Sequence, residues 1–401
     1  MPLSLVGSEM CIRDRHTLHA IWEADRAILA GHLELVPAEL VEEARQVAPA
    51  HPWLVVKQGE KWRACQDYSL FTNPRVSRVP FSLPSAWDAE KVIGPDSHMA
   101  KYDLRDGYWA VPLALRSRAH LMVRHPATGR LLWCRSLPFG YKLSPAIFCR
   151  ITERVAQMLR TQLAGQGIHI FVYVDDYLVV GDTLEKTLKG MHALEELLDV
   201  LGLQWALHKR RGPARALEFL GVLIANLPNL EGRPLVAVAE KRRKRMLELV
   251  ESWLAKRSPP PTPWSPSPQR LEVAPREMAE LLGLLVFVAP CVPHGRVYMQ
   301  AMLRAFAGLS VDWRGGRVRF LSGQWQQLEV ADSFFADLQW WESALRNCSC
   351  WQRPTTTPPL AAILGTDASD QACGGVAWVD GSREETQLSF TAAEKLSLIH
   401  I

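Results

Sequence analysis

The sequence predicts a mixed α/β (α+β) chain with more than one domain, and three observations carry that expectation. Short, β-rich apolar runs alternate with amphipathic helical segments between residues 51 and 225. A proline-rich stretch, SPPPTPWSPSP (258–268), then breaks the pattern, and a largely helical, Trp-rich region follows over 275–350. At 401 residues and 48% apolar side chains, the chain is long for one core and too apolar for a disordered protein.

In order, residues 16–50 show helical periodicity (Leu18, Ile21, Trp22, then Leu33, Leu35, Leu40, Val41) and predict one or two short helices. HPWLVVKQGEKWRACQDYSLF (51–71) reads as two strands joined by a Gly-containing turn. AKYDLRDGYWAVPLA (100–114) is a strand running into a tight turn, and SRAHLMVRHPATGRLLWCRSL (117–137) a hairpin with ATGR at its tip. SPAIFCRITERVAQMLRTQL (144–163) is an amphipathic helix with Ser144 as its N-cap and Pro145 in its first turn. FVYVDDYLVV (171–180) is a strand pair, LEKTLKGMHALEELLDVLG (184–202) a helix with Gly202 just past its end, and ALEFLGVLIA (216–225) a strand. AEKRRKRMLELVESWLAKR (239–257) is a basic helix, and LAAILGTDASDQACGGVAWVDG (360–381) reads as the first strands of a new domain.

Composition excludes some classes. The net charge of +4 is only weakly basic, so local clusters matter more than the balance. The eight cysteines are scattered without zinc-site spacing, which fits a reduced compartment and an intracellular protein, cytoplasmic or nuclear. No apolar run reaches the ~20 residues of a membrane span, so LLGLLVFVAP (281–290) reads as a core helix. No secretory signal is visible. MPLSLVGSEMCIRDR (1–15) and LSLIHI (396–401) resemble translated sequencing adapters and are expected to be non-native tails.

Asp175 and Asp176 sit in an otherwise apolar run, where an unpaired carboxylate is costly. They are either a hairpin tip or metal ligands. Asp-Asp is not a favoured two-residue turn, since short hairpins want Asn-Gly, Asp-Gly or Gly. Asp103, in AKYDLRDGYW, also ends an apolar strand. Three aspartates from neighbouring strands suit Mg²⁺, a hard ion held by carboxylates and substrate phosphates, and two such ions support in-line phosphoryl displacement.

The order DLRDGYWAVPL, LPFGYKLSPAIF, YVDD, LGLQWALHK, FLG, preceded by KQGEKWRACQDY, resembles the reverse transcriptase family of retroelements and retroviruses across residues 51–225. The resemblance implies a right-hand polymerase with fingers and palm over 16–225, a thumb and linker over 226–270, and a helical connection over 271–355. It implies an RNA-directed DNA polymerase that adds dNTPs to a primer on an RNA or DNA template, using two Mg²⁺ ions for which Mn²⁺ can substitute. Asp103 and Asp175 match the aspartates holding both metals, and Asp176 the third metal-site carboxylate. Lys57 and Arg63 match the fingers residues that clasp the triphosphate; Asp106 and Gly107 lie where backbone N–H groups meet it. Tyr108 matches the steric gate against a ribose 2′-hydroxyl, and Phe139 and Gly140 the loop beneath the nucleotide. Lys209 matches a lysine that protonates pyrophosphate, and Phe219, Leu220 and Gly221 match the primer grip.

Lys241, Arg242, Arg243, Lys244 and Arg245 open the thumb helix and are candidates for template–primer phosphate contacts; a nuclear localisation patch or a solvated face are the alternatives. ELLGLLVFVAPCVPHGRVYMQAML and DLQWW resemble the connecting region of DIRS-type retroelements, whose integration uses a tyrosine recombinase. TDASDQACGGVAW resembles the opening of a ribonuclease H domain (356–395), with Asp367 as its first metal carboxylate and Glu394 as a candidate second. Its remaining carboxylates are not visible, so that domain is expected to be inactive. The rest of the ribonuclease H domain and a recombinase or integrase are expected in a parent polyprotein, with no membrane partner. Alternatives to the polymerase are an inactive nucleic-acid-binding relic and an RNA-dependent RNA polymerase. The latter typically carries Gly-Asp-Asp instead of YVDD and lacks a bulky residue at the Tyr108 position.

Overall fold

In the computed structural model the described residues are 4–58, 61–227, 234–257, 271–305, 311–312, 319–320, 328–330, 332–347, 350–352, 362–368, 372–379 and 382–389. They divide into two units, Met1–Leu217 and Glu218–Ile401. The first contains α1 (Ser4–Leu29), β1 (Leu33–Leu35), α2 (Val41–Val47), β2 (Trp53–Gln58), β3 (Lys61–Gln66), α3 (Thr72–Arg75), α4 (Ala86–Glu90) and β4 (His98–Asp103). It continues with α5 (Leu115–Arg118), β5 (Met122–Arg124), β6 (Leu131–Cys134), α6 (Ser144–Gln162), β7 (Ile168–Tyr173), β8 (Asp176–Gly181), α7 (Leu184–Val200) and β9 (Arg211–Ala214).

Strands β7, β8, β4 and β9 form an antiparallel sheet in that order. Alternation along the pleat gives it two faces. Ala100 and Tyr102 of β4, with Ile168, Ile170 and Val172 of β7 and Tyr177 and Val179 of β8, point into a core. Helices α6 (Phe148, Val155, Leu159) and α7 (Met191, Leu194, Leu198) close that core. Register places Tyr102 opposite Tyr177 on the core face and, one residue on, Asp103 opposite Asp176 on the other face. Lys101 shares that second face with Asp103. A second sheet, β1–β6–β5, and the β2–β3 hairpin pack on α1 through its small residues Ala20, Ala24 and Ala27.

Several local expectations need correction. The region 16–50 holds one long helix, a short strand and a short helix rather than only short helices. Ser144 does not cap α6: Leu143 takes the cap position, and the Ser144 hydroxyl donates instead to the Pro138 carbonyl at 2.6 Å. Thr183, not singled out in the sequence, caps α7 by accepting from the Lys186 N–H at 3.3 Å. Gly202 follows α7 with φ +70°, as expected of a helix-ending glycine. The segment 216–225 is not one strand but two, β10 (Ala216–Phe219) and β11 (Val222–Ala225). Leu220 and Gly221 between them have φ +53° and +77°, which turns the chain where a continuous apolar run hides the break.

The second unit continues with β12 (Leu235–Val238), α8 (Glu240–Leu254), β13 (Leu271–Val273), α9 (Pro275–Val288), α10 (Gln300–Arg304), β14 (Val311–Asp312), β15 (Arg319–Phe320) and β16 (Leu328–Val330). It ends with α11 (Asp332–Arg346), β17 (Cys350–Gln352), β18 (Ala362–Ala368), β19 (Ala372–Val379) and β20 (Ser382–Ser389). Strands β10–β11–β12–β17 form one sheet, and β18–β19–β20 an antiparallel meander. Helix α8 lies against α11, with the Trp253 and Phe334 rings 5.6 Å apart. The proline-rich run 258–268 and Glu394 lie outside the described residues.

Gly190 shows how tightly α7 sits on the sheet. A Cβ there would come within 2.7 Å of Ile168 Cγ2 and 2.8 Å of Val179 Cγ1. Gly190→Val is expected to destabilise the protein by about 1–3 kcal/mol through overpacking. Gly283, in α9, has nothing within 4 Å of its would-be Cβ. Gly283→Ala is expected to be neutral or stabilising by up to about 1 kcal/mol, from helix propensity. Urea unfolding midpoints of the two variants check the contrast.

Candidate active site

The end of β4 and the β7–β8 turn bring three carboxylates together. Tyr173 pairs with Asp176, leaving Val174 and Asp175 as a two-residue turn. Val174 has φ +58° while Asp175 has no positive φ, the sign pattern of a type II′ hairpin, which normally uses Gly at the first position. The Asp175 carbonyl accepts from the Leu104 N–H at 2.9 Å, tying the turn to the chain just after β4. The Asp103 carbonyl accepts from the Ala206 N–H at 2.8 Å, which brings the Leu207–Lys209 turn alongside.

Two lysines answer this charge. Lys209 Nζ donates to Asp103 Oδ1 at 2.7 Å. Lys101 Nζ lies 3.4 Å from Asp176 Oδ1, an atom that is buried and accepts no hydrogen bond by strict geometry. The separation is long for a hydrogen bond, so we read this contact as an ion pair. Burial raises the Asp175 carboxyl above the usual range, helped by the neighbouring charges of Asp176 and Asp103. Burial also raises Asp176, against the opposing pull of Lys101.

The donors fit a divalent ion in kind: hard carboxylate oxygens, one of them buried without a hydrogen bond. Among the described residues no group of three or more His, Cys, Asp or Glu side chains is arranged to hold an ion. Asp103 and Asp176 each face a lysine ammonium.

Tyr108 follows within the short 3₁₀ turn Gly107–Ala110. Its ring packs against Phe148 at 5.3 Å and Phe139 at 5.1 Å, and burial raises its phenol with a contribution from the Asp175 charge. Asp106 and Gly107 both have positive φ, which folds the backbone sharply before Tyr108. Phe139 also meets Trp109 edge-on at 5.7 Å. Next to it, Gly140 has φ +84°, and a Cβ there would lie 1.9 Å from the Gln66 carbonyl oxygen. Gly140 is therefore fixed by its close approach to the end of β3, and its own carbonyl accepts from Asn73 Nδ2 at 2.9 Å.

Arg63, Asp106 and Phe139 line one cleft of about 520 Å³, together with Trp62, Trp109, Arg105 and residues of α1. Arg63 is exposed on β3 opposite Val56, and Lys57 lies on β2 opposite Trp62. The structure thus assembles Asp103, Asp175, Asp176 and Lys209 in one cluster. Tyr108 and Phe139 connect this cluster to the cleft with Arg63 and Asp106. Sequence reading missed Lys101, although its place two residues before Asp103 on a strand was a usable signal. It also missed Arg26 and His32, which reach the cleft from α1 and the turn after it. The His32 ring stacks on Trp109 at 5.0 Å, a contact no local pattern announces.

The remaining candidates belong to the second unit. Phe219 is fully buried and precedes the Leu220–Gly221 turn. Of the basic run on α8, Lys241, Lys244 and Arg245 are exposed. Arg242 packs over the Phe287 ring at 4.3 Å, and Arg243 donates to the Leu345 carbonyl at 2.8 Å and pairs with Glu240. Asp367 lies on β18 opposite Gly374.

Residues 65–224 match the family model for reverse transcriptase (RNA-dependent DNA polymerase). The chain is 28% identical over 202 residues to the Gag-Pro-Pol polyprotein of bovine leukemia virus, covering 46% of this chain and 14% of that protein. It is 26% identical over 250 residues to the Gag-Pol polyprotein of gibbon ape leukemia virus, covering 60% of this chain and 13% of that protein. It is 28% identical over 165 residues to polyprotein P3 of Commelina yellow mottle virus, covering 41% and 8%. The chain therefore spans only a small part of these relatives. Among solved structures, a foamy viral protease-reverse transcriptase in complex with dsDNA matches with a TM-score of 0.59 at 18% identity, covering 92% of this chain and 55% of that one. A foamy viral protease-reverse transcriptase in complex with an RNA/DNA hybrid matches with a TM-score of 0.59 at 18% identity, covering 93% of this chain and 42% of that one. At such identity the likeness concerns the fold. Residues 65–224 are thus similar to reverse transcriptase domains, and the likeness to the solved structures shows a shared fold.

Proposed function

We propose that this chain is the RNA-directed DNA polymerase of a retroelement, adding deoxynucleotides to a primer 3′-hydroxyl on an RNA or DNA template. The observation that carries this reading is the cross-strand pair Asp103–Asp176 with Asp175 in the adjoining turn. Asp103 and Asp175 would hold two divalent ions, Mg²⁺ or Mn²⁺, with Asp176 as third carboxylate. When bound, these ions activate the primer hydroxyl and neutralise charge on the leaving pyrophosphate.

The chain's own residues do the rest. Arg63, and Lys57 from the facing strand, supply positive charge for the triphosphate, and a guanidinium can grip two phosphate oxygens at once. The sharp backbone at Asp106 and Gly107 presents N–H groups toward the same phosphates. Tyr108, held between Phe139 and Phe148, forms a stiff wall where a 2′-hydroxyl would project. Lys209 Nζ, held 2.7 Å from Asp103 Oδ1, is the candidate general acid toward pyrophosphate. The exposed cations Lys241, Lys244 and Arg245 are proposed to contact template–primer phosphates, and Phe219–Gly221 to steady the primer. The duplexes bound by the foamy viral relatives support a template–primer partner. The meander β18–β20, with Asp367, is proposed as the opening of a ribonuclease H-like domain.

Primer extension on an RNA template with Mg²⁺ tests the reading. Wild type is expected to extend with dNTPs, and Asp175→Asn to lose activity by at least about 10³-fold. Extension that survives this substitution rejects the metal assignment. Preferential use of rNTPs would favour an RNA polymerase, and template–primer binding without extension a relic.

Asp175→Asn has an opposite effect on stability. A folded carboxyl held above its ordinary pKa favours the protonated form, so this contribution is fully present below the unfolded value and lost as pH rises through the folded one. At neutral pH without metal, ionised Asp175 therefore weakens the fold. Asp175→Asn is expected to raise the thermal midpoint at pH 7 by about 2–4 °C. The gain should shrink as pH falls through the raised Asp175 pKa toward the ordinary carboxylate range. Calorimetry at several pH values reads both.

Tyr108→Ala is expected to reduce discrimination between deoxynucleotides and ribonucleotides by about 10- to 100-fold in kcat/KM. Single-nucleotide incorporation kinetics measure it, and unchanged discrimination would remove the gate assignment.

A further inference from the structure

Lys101 is built into the carboxylate cluster. It stands two residues before Asp103 on β4, so the pleat puts both side chains on one face. Across the sheet Lys101 lies opposite Leu178 and Asp103 opposite Asp176. Asp176 is thus the diagonal neighbour of Lys101, a gap of roughly 7–8 Å that a long side chain can bridge. Lys101 Nζ reaches 3.4 Å from Asp176 Oδ1, with side-chain exposures of 24% and 22%. Lys209 faces Asp103 at 2.7 Å but is 51% exposed and sits on a short 3₁₀ turn. Lys209 can withdraw into solvent. Lys101, on a strand flanked by β8 and β9, is only 24% exposed.

We propose that Lys101 is a resident counter-cation for Asp176, which withholds that carboxylate from full metal ligation and sets the divalent-ion concentration at which the site fills. The proposal rests on the reading of the three aspartates as a metal site. An ammonium against one carboxylate neutralises the charge an incoming ion would use and repels the ion itself. It also makes the crowded carboxylates tolerable before an ion arrives. Asp103 and Asp175 are left as the principal holders, with Asp176 shaping the field around them. Lys101 acts through Asp176 and is a positioning residue.

Mn²⁺ binding to the full chain, without nucleotide or nucleic acid, tests this by the electron paramagnetic resonance of free Mn²⁺. Lys101→Met is expected to tighten binding by about tenfold. Lys101→Arg, which keeps the charge, should stay near wild type. In an Asp176→Asn background the Lys101→Met effect should fall to within about twofold. Unchanged or weaker binding by Lys101→Met, with binding lost in Asp175→Asn, overturns the proposal and leaves the metal site standing. If Asp103→Asn and Asp175→Asn both bind Mn²⁺ like wild type, the metal reading itself fails. Circular dichroism melts establish that each variant is folded, and Lys101→Gln carries the same measurement should Lys101→Met not fold.

Discussion

The constraint on which the rest of this domain depends is the crowding of three carboxylates at the paired ends of β4 and β8. Coulomb repulsion and burial both work against it, and both raise the Asp175 carboxyl. The arrangement holds because the opposite face of the same strands is anchored. One residue from the Asp103–Asp176 pair, Tyr102 and Tyr177 are fully buried between sheet and helices. Tyr177 donates to the Thr152 carbonyl of α6 at 2.9 Å, and Tyr102 to Glu195 of α7 at 2.6 Å. Arg210 pairs with the same Glu195 at 3.0 Å, and it adjoins Lys209, which faces Asp103. Core, helix and charged loop are thereby linked in one network, and the lysines offset what the strands force together.

A second consequence runs through the loop 137–142. It must bring Phe139 to Tyr108, while its backbone crosses against the end of β3 at Gly140. Asn73 holds the same loop twice, donating to the Gly140 carbonyl and accepting from the Lys142 N–H at 2.8 Å. Lys142 Nζ donates in turn to the Val76 carbonyl at 2.8 Å. Gly140 thus acts through tight packing between loop and strand. This packing fixes the neighbouring Phe139, which lines the cleft.

Much of this was legible in the sequence, because its signals were local. Alternation and helical periodicity located β4, β7, β8, α6 and α7, and the aspartates announced themselves as charges in apolar strands. Misreadings arose where a non-local contact decided. Ser144 looks like a cap, yet its hydroxyl is used by the Pro138 carbonyl across a turn. The break at Leu220–Gly221 is hidden within ten residues of strand-like sequence. The basic run on α8 reads as uniform charge, yet tertiary neighbours claim Arg242 and Arg243 and leave Lys241, Lys244 and Arg245 exposed. The Lys101–Asp176 pair depends on register, which one strand cannot reveal. His32 on Trp109 depends on where α1 lands.

Val174 shows how the fold accommodates its least comfortable residue. A β-branched side chain at positive φ costs on the order of 1–3 kcal/mol, and glycine would relieve it. Glycine would also remove a side chain that packs against the core formed by the sheet and helices α6 and α7. It would loosen the turn as well, because a glycine backbone has more conformations to lose. The turn carries Asp175, whose carbonyl must meet the Leu104 N–H and whose carboxylate must stay beside Asp103 and Asp176. A stiff residue in a strained conformation restricts where that carboxylate can go. The packing of Val174 and the Asp175–Leu104 hydrogen bond together offset the strain, and the gain is a turn with little freedom at the point where three like charges would otherwise move apart.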